Sequence, residues 1–395
     1  MVRKFIKYKD KKIRSVFHIF DLAYLLENFF RRLFSKKKSQ IFQENPSILV
    51  IRRDMIGDFI ISMPALLRLR LAFPDSKIYF VGTRGVRSIF SIVRKDFFDG
   101  IFFIDPNFWM PRILRNKTQY LQKSLMDSDD IDKIKELRGK VDIGIDLRGD
   151  IFSLRLLSLL QCKRIVSYDI GGGSSFITDN VPYDPDLNDK GHDLKIIDHV
   201  CGKYSNLKSE DISNDLSILL KDGLIGNGKP LSRYICIQPG GGRWFFRRWS
   251  IQNYAKLIDM IRSEYTDCKV ILLSSDDSEK KICLSIKDDV RNESDVEIYE
   301  SENWKSTIDL MINSVLFIGH DTSTAHLADL FDHKSIILFG PGDRKLFTPS
   351  SRNITTLYHE YRCQPCEQRN CIYPINPCID SITVEEVFNS IKHIL

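Results

Sequence analysis

The sequence lacks three features that would each point to a particular class of protein. It has no run of about 18 apolar residues, the length that a helix needs to span a bilayer. It has no short-period repeat and no low-complexity tract. It also has no G-x-G-x-x-G after a first strand with an acid about 20 residues further on, which argues against a nicotinamide-dependent dehydrogenase.

The first 40 residues carry a strong net positive charge, and the rest of the chain does not. That segment has 12 Lys and Arg against 3 Asp and Glu, whereas the rest of the chain carries a net charge of −3. A protein that binds a polyanion needs a basic surface. We therefore expect no nucleic-acid partner for the body of the protein.

Residues 1–45 form a separate basic segment whose apolar residues recur at helical spacing, which indicates an amphipathic helix. The apolar stretch lies too late for a signal peptide and no small-residue cleavage site follows it, so we expect the mature chain to keep this segment. Two interpretations stay open: binding to an anionic membrane surface, and packing on the body or in an oligomer. The apolar positions are Ile19, Leu22, Ala23, Leu26, Phe30 and Leu33.

The length of 395 residues, with 43% apolar side chains, predicts two domains, each with its own core. Short apolar strands alternate with helical patterns, and the alternation restarts after the turn-rich residues 221–230. This order is typical of an α/β fold with parallel, doubly wound sheets. The predicted strands lie at 47–51, 78–81, 101–104, 141–146, 164–167, 234–238, 269–273, 315–318 and 335–339, with helices at 60–71, 251–264 and 322–331.

These patterns divide the chain into four segments. We predict the basic segment at 1–45, an N-terminal Rossmann-like domain at 46–222, a C-terminal Rossmann-like domain at 223–380, and a final helix at 381–395 that returns towards the first domain. We interpret residues 180–228, which are mixed and partly polar, as the approach to a linker. The carboxyl ends of both sets of strands would line a cleft between the domains, where ligands bind.

The first motif follows the first predicted strand and reads IRRDMIGDFIISMP, at residues 51–64. Gly57 allows a tight loop, and Asp58 stands near the point where a helix begins. Two interpretations of Asp58 stay open: an acid that faces the ligand, and an N-cap of the helix.

The second motif reads QPGGGRWFFRRWS, at residues 238–250. Backbone N–H groups at Gly240 and Gly241, with the charges of Arg243, Arg247 and Arg248, suit a diphosphate. The alternative is that one or two of these arginines stack on a neighbouring tryptophan.

The third motif reads IGHDTSTAHLADL, at residues 318–330. Asp321, Thr322 and Ser323 precede a helix whose first N–H groups can bind phosphate oxygens, and Asp321 can accept hydrogen bonds from sugar hydroxyls. The alternative is a capped helix without a ligand. We interpret His326 as a packed histidine, and FGPGD at 339–343 as a further turn at a strand end.

In this order and at this separation, the motifs resemble the ADP-heptose:lipopolysaccharide heptosyltransferases, family 9 of the glycosyltransferases, from Ser47 to the C-terminus. The resemblance implies a GT-B fold, inversion at the anomeric carbon and no catalytic metal. It implies a cytoplasmic enzyme that uses ADP-heptose as donor and a glycolipid such as the lipopolysaccharide core as acceptor, with peripheral contact at the cytoplasmic face of the inner membrane. Two alternatives stay open: the same scaffold with another nucleotide sugar, for O-antigen, capsule or protein glycosylation, and a nucleotide-sugar-binding protein without turnover.

By the same resemblance, Asp58 is the general base that takes the acceptor hydroxyl's proton. Arg247 takes the place of a lysine that balances the charge of the departing diphosphate. The sequence departs from the family pattern at this Arg247, at Ser250 for a common Pro, and at Ser323, where a Gly in many members leaves more room for phosphate. The residues assigned to the donor are Gly57, Gly240, Gly241, Arg243, Arg248, Glu279, Asp321, Thr322 and Ser323.

Four of the nine cysteines crowd into 16 residues as Cys363-x2-Cys366-x4-Cys371-x6-Cys378. Four thiolates in one loop can close a structural zinc or iron site, and some protein-modifying relatives in the resembled family hold iron there. The alternative is a set of reduced thiols, or a disulfide, that braces the chain. We expect the other five cysteines to be inert core residues.

Overall fold

A computed structural model describes residues 45–104, 129–205, 215–224, 233–242, 245–366, 371–373 and 377–395. The chain divides into two compact units between Leu219 and Leu220. The predicted N-terminal helix and Arg243 lie outside the described residues, so both stay predictions.

The first unit is built on one six-stranded parallel sheet. The central strand is fully buried along its length, because helices cover both faces of a parallel sheet. The strands are β1 (Ile48–Arg52), β2 (Ile78–Thr83), β3 (Gly100–Ile104), β4 (Ile143–Asp146), β5 (Arg164–Ser167) and β6 (Asp179–Asn180), in the sheet order β3-β2-β1-β4-β5-β6. The helices are α1 (Ile56–Ala72), α2 (Asp129–Lys135), α3 (Ile151–Leu159) and α4 (Asp189–Tyr204).

The second unit repeats this topology with a second six-stranded parallel sheet. Its strands are β7 (Tyr234–Ile237), β8 (Lys269–Ser274), β9 (Val296–Glu300), β10 (Leu316–His320), β11 (Ser335–Leu338) and β12 (Ile354–Leu357), in the order β12-β11-β10-β7-β8-β9. Its helices are α5 (Ile251–Glu264), α6 (Asp277–Asp289), α7 (Trp304–Ile312), α8 (Ser323–Leu330), α9 (Arg344–Phe347), α10 (Pro377–Asp380) and α11 (Val384–Ile394). Both sheets are therefore doubly wound, as the sequence predicts.

The final helix, α11, packs within the second unit. Its apolar face, which includes Val387, Phe388 and Ile391, belongs to the same core as the strands β7 and β10. The helix also contacts α5 and the strands β11 and β12. That the helix returns towards the first domain stays a prediction, as does the cleft between the domains.

Three predictions of secondary structure need correction. Gly57, predicted to allow a tight loop, is the second residue of α1, which begins at Ile56. Residues 180–228 hold the 16-residue helix α4, and not only the approach to a linker. The strand predicted at 315–318 continues to His320, so this histidine belongs to β10. Within the described parts of the chain, no helix is long and apolar enough to cross a membrane.

Candidate active site

The candidate site residues lie beside the switch points of the two sheets. In the first sheet the order reverses between β1 and β4, and in the second between β7 and β10. Loops at the carboxyl ends of such a strand pair diverge and leave a crevice that binds ligands. The first motif follows β1, the second follows β7, and the third follows β10.

Asp58 is the third residue of α1, and Met55 is its N-cap. The Asp58 Oδ2 atom accepts a hydrogen bond of 2.9 Å from the Met55 N–H, so the carboxylate closes the helix end without being the N-cap. The other oxygen, Oδ1, lies 3.8 Å from Nη2 of Arg52. The helix-capping interpretation and the catalytic one are therefore compatible, because each uses a different oxygen.

Burial and the neighbouring carboxylate of Asp54 together raise the pKa of Asp58 to about 6. Arg52 and Arg148 act in the opposite direction. An acid with a pKa just below neutrality is ionised at pH 7 and still accepts a proton readily. These properties suit a general base.

Arg52 lies at the end of β1 and is the centre of a buried ion-pair network. Its guanidinium donates to Asp193 at 2.6 Å and to Asp189 at 2.5 Å, and lies 3.1 Å from Asp54. Arg148, after β4, pairs with the same Asp54 at 3.0 Å and with Asp189 at 3.1 Å.

Sequence reasoning missed Arg148, Asp189 and Asp193. Arg148 had a usable signal, because it follows a predicted strand next to β1 in the sheet. The two aspartates have i, i+4 spacing, which places them on one face of a helix, but the helix itself was not predicted.

In the second unit, two predicted residues from different motifs meet. Arg247 donates a hydrogen bond to the main-chain oxygen of Asp321, and its guanidinium lies 3.3 Å from the Asp321 carboxylate. Burial raises the pKa of Asp321 to about 6, while Arg247 lowers it and Asp343 raises it. Arg248 instead donates to the carbonyl oxygen of Gly242, at 3.1 Å, and so fastens the glycine-rich turn.

Two glycines allow carboxylates to approach the backbone at this site. A Cβ at Gly240 would lie 2.0 Å from Oε1 of Glu279, and one at Gly342 would lie 2.2 Å from Oδ2 of Asp321. Glu279 is buried and accepts hydrogen bonds from the N–H and hydroxyl of Ser275, at 3.1 and 2.6 Å. Gly241 is buried beside Gly240. A side chain at Gly240 would collide with Glu279.

His320 connects three parts of the second unit, a role that sequence reasoning missed. Its Nε2 accepts from the Trp249 N–H at 3.0 Å and lies 3.1 Å from the Tyr254 hydroxyl, and Nδ1 lies 3.2 Å from the Gly240 carbonyl oxygen. Burial lowers the pKa of His320 to about 4, so the ring is neutral at pH 7. A neutral ring with its proton on Nδ1 satisfies all three contacts.

Two helices of this unit, α5 and α8, begin at residues that depart from the family pattern or adjoin one that does. Ser250 is the N-cap of α5 and accepts from the Asn253 N–H at 3.2 Å. Thr322 is the N-cap of α8, and Ser323 is that helix's first residue. The Thr322 hydroxyl lies 2.8 Å from that of Thr324, a residue that sequence reasoning missed. His326 is buried, as expected for a packed histidine.

The four clustered cysteines line one small cavity of about 30 Å³. Burial and the neighbouring thiols raise the pKa of Cys378 to about 12, and all four are free thiols. In the part of the chain that the structure describes, no three His, Cys, Asp or Glu side chains are arranged to hold a metal ion. The structural metal at these four thiols stays a prediction.

A family model for glycosyltransferase family 9 (heptosyltransferase) matches residues 132–375. This chain belongs to glycosyltransferase family 9. The resemblance drawn from the motifs is thereby confirmed, and the protein is a glycosyltransferase. The match includes β4, Arg148 and the second unit as far as residue 375.

Individual members of family 9 and their structures extend the match towards both ends. Lipooligosaccharide heptosyltransferase 2 of Campylobacter jejuni is 21% identical over 350 residues, which cover 86% of this chain and 95% of that protein. The structure of the E. coli heptosyltransferase WaaC with ADP matches with a TM-score of 0.66 at 16% identity, covering 88% and 100% of the two chains. A family 9 structure from Veillonella parvula matches with a TM-score of 0.67 at 15% identity, covering 90% and 99%. The GT-B fold is therefore confirmed.

Proposed function

We propose that this protein transfers a heptose from ADP-heptose to the lipopolysaccharide core or a related glycolipid, with inversion at the anomeric carbon. The observation that carries the proposal is the pairing of two dissimilar sites at equivalent points of two Rossmann-like units. One holds a buried carboxylate with a pKa of about 6, and the other holds glycine turns with the Arg247–Asp321 pair. A binding protein without turnover has no use for the first site.

The proposed reaction assigns each site a step. The acceptor hydroxyl oxygen attacks C1 of the sugar while the Asp58 carboxylate takes the hydroxyl's proton. The bond from C1 to the diphosphate oxygen breaks, and the nucleoside diphosphate leaves with the electron pair. Arg247 offsets the negative charge that develops on that oxygen. The N–H groups at Gly240, Gly241 and the start of α8 bind the diphosphate oxygens.

Named relatives support ADP-heptose as the donor. The curated relatives are lipooligosaccharide heptosyltransferases, and solved structures of WaaC contain ADP or ADP-2-deoxy-2-fluoro heptose. By resemblance to family 9, we assign the nucleotide end to Glu279 and the sugar end to Asp321. The two residues follow strands on opposite sides of the switch point, β8 and β10.

Ser323 favours a second candidate, a different nucleotide sugar on the same scaffold, because its side chain narrows the space beside the diphosphate. A panel of ADP-, UDP-, GDP- and TDP-sugars can be tested for ligand-induced stabilisation of the protein. We expect ADP-heptose to raise the melting temperature most and to support transfer to a heptose-deficient lipopolysaccharide. If only another nucleotide sugar stabilises the protein, that sugar is the donor in place of ADP-heptose. If the protein consumes the donor but forms no glycosylated acceptor, the proposal is rejected.

The cysteine cluster is proposed as a structural zinc or iron site on the strength of its four thiols and their common cavity. Elemental analysis of protein purified without a metal-affinity step is expected to show about one metal ion per chain, and Cys378→Ser should remove it. Protein without metal would leave the four cysteines as reduced core thiols. The proposed reaction does not involve this site.

We also propose a cytoplasmic location with peripheral contact at the inner membrane. The support is the net charge of +9 in residues 1–40, together with their apolar residues at helical spacing. A glycolipid acceptor would be presented at the same surface.

A further inference from the structure

The ion-pair network around Arg52 is an unusual feature of the first unit's core. The Arg52 side chain is only 1% exposed, and that of Asp193 is fully buried. Four carboxylates, those of Asp54, Asp58, Asp189 and Asp193, face two guanidiniums, those of Arg52 and Arg148.

A buried ion-pair network stabilises a fold poorly, because its charges must leave water. Taking charges out of water costs several kcal/mol per ion in real proteins, and apolar residues of similar volume often stabilise a core as well or better. The contact between α1 and α4 already has a partly exposed ion pair of its own, Arg68 with Asp198 at 2.5 Å. Packing therefore does not explain why Arg52 is buried at the end of β1.

The geometry connects the network to the proposed base. Arg52 is fixed from one side by Asp189 and Asp193 of α4, and its Nη2 atom lies 3.8 Å from Asp58 Oδ1, the oxygen that does not cap α1. Arg148 is fixed by Asp54 and Asp189 at the neighbouring strand end. The oxygen available for proton transfer thus faces a guanidinium that cannot swing away.

We propose that Arg52 is a positioning residue for Asp58, and that Arg148 and Asp189 set the charge that Asp58 experiences. This inference rests on the proposed role of Asp58 as the base. Arg52 does not touch the substrate in this account: it orients one carboxylate oxygen and favours its ionised form, while α4 holds Arg52 in place.

The signs of the interactions make the proposal testable. Arg52 and Arg148 lower the pKa of Asp58, whereas Asp54 and Asp189 raise it. Asp189 is itself ionised, since its guanidinium partners hold its pKa at about 2 despite burial. Burial raises the pKa of Asp193, whose Oδ1 accepts a hydrogen bond from Arg52.

The experiment is the pH dependence of kcat/KM for the full chain with two variants of opposite charge. Arg148→Gln should move the acidic limb of the profile to higher pH by about 1, and Asp189→Asn should move it to lower pH, because a charge beside a carboxylate changes its pKa by this order. Arg148→Lys retains the charge and should return the limb towards that of the unmodified protein.

Asp198→Asn is the matched control, since it removes an aspartate from the same helix and an ion pair with an arginine of α1 but does not face Asp58. The acidic limb of the pH profile of this variant should stay in place. Arg52→Lys should lower kcat with little change in KM, because one ammonium group cannot bind two aspartates and still face Asp58. Limbs that stay fixed in Arg148→Gln and Asp189→Asn, or that move in the same direction, would overturn the proposal.

The outcome can be separated from a failure of the proposed base. If Asp58→Asn retains full turnover, Asp58 is not the base and both ideas fall. If Asp58→Asn is inactive while the charge variants keep the unmodified profile, the base stands and the positioning role fails.

Discussion

The two units have the same strand order but place different chemistry at the same topological point. At the switch point of the first sheet, four acids and two arginines form one ion-pair network whose side chains are between 0% and 23% exposed. At the switch point of the second, glycine turns and a helix start surround a single Arg247–Asp321 pair. The fold supplies the location, and the side chains decide whether that location accepts a proton or binds an anion.

The backbone accounts for much of this difference. In the second unit, Gly240 and Gly342 let the carboxylates of Glu279 and Asp321 lie against the main chain. In the first unit, Asp58 itself closes the start of α1, so this helix end is already occupied by a carboxylate. The start of α8, whose N-cap Thr322 makes no side-chain capping bond, suits a diphosphate better than the start of α1 does.

The largest expected effect comes from removing the base. Asp58→Asn should reduce turnover by on the order of 10²-fold or more, because the loss of a general base acts on the chemical step. Turnover is measured with saturating donor and acceptor. A variant that keeps near-normal turnover would make Asp58 only a helix-closing residue, and the contrast between the units would disappear.

A smaller effect is expected from the arginine of the second unit. Arg247→Ala should slow transfer by roughly 10- to 100-fold, since hydrogen bonds to charged groups contribute about 1.5–3 kcal/mol. Arg248→Ala is the matched control and should matter less, because Arg248 is bonded to the Gly242 carbonyl oxygen. If Arg248→Ala is the more damaging variant, the roles of the two arginines are reversed.

The same Asp58→Asn change should stabilise the fold at neutral pH. The folded state raises the pKa of Asp58 to about 6, so stability falls as pH rises from about 4 through 6, and ionised Asp58 costs up to about 3 kcal/mol above that window. The amide oxygen of asparagine accepts a weaker hydrogen bond from the Met55 N–H than a carboxylate does, which offsets part of this gain. We therefore expect the free energy of unfolding to rise by about 1 kcal/mol. Melting temperatures at pH 7 and pH 4 measure it: the gain should be present at pH 7 and small at pH 4, and a gain equal at both would contradict the account.

The smallest effect on chemistry is expected from the N-terminal segment, which belongs to neither site. Deleting residues 1–40 should abolish sedimentation with anionic liposomes and leave transfer to a soluble acceptor fragment largely unchanged. High salt should weaken binding of the full chain, since the attraction is screened over about 10 Å at 0.1 M. Full-length protein that ignores anionic liposomes would refute the membrane proposal.

Much of the fold could be predicted because its central strands are continuous apolar runs. β1, β7 and β10 were predicted to within two residues at either end, whereas the edge strands β9 and β12 were not predicted. Both edge strands have partly exposed, polar side chains and lack the apolar run that marks a buried strand. The helix α4 was missed for a similar reason, since charged residues dominate its sequence.

The site residues that lie within a sequence motif at a strand end could be predicted. Asp58, Arg247, Asp321 and Glu279 all follow strands that the sequence revealed. Asp189 could not be assigned, because its partner Arg52 lies 137 positions away in the chain and only the sheet order brings them together. Long-range ion pairs leave no periodic signal in a single sequence.

The most direct test of the division between the units is calorimetric titration of ADP into the unmodified protein, Asp58→Asn and Arg247→Ala. The account predicts that ADP binds Asp58→Asn with nearly unchanged Kd and binds Arg247→Ala at least about 10-fold more weakly, because only the second unit holds the diphosphate. Equal weakening in both variants would show that Asp58 also binds the donor, and would contradict the assignment of the base to one unit and the donor to the other.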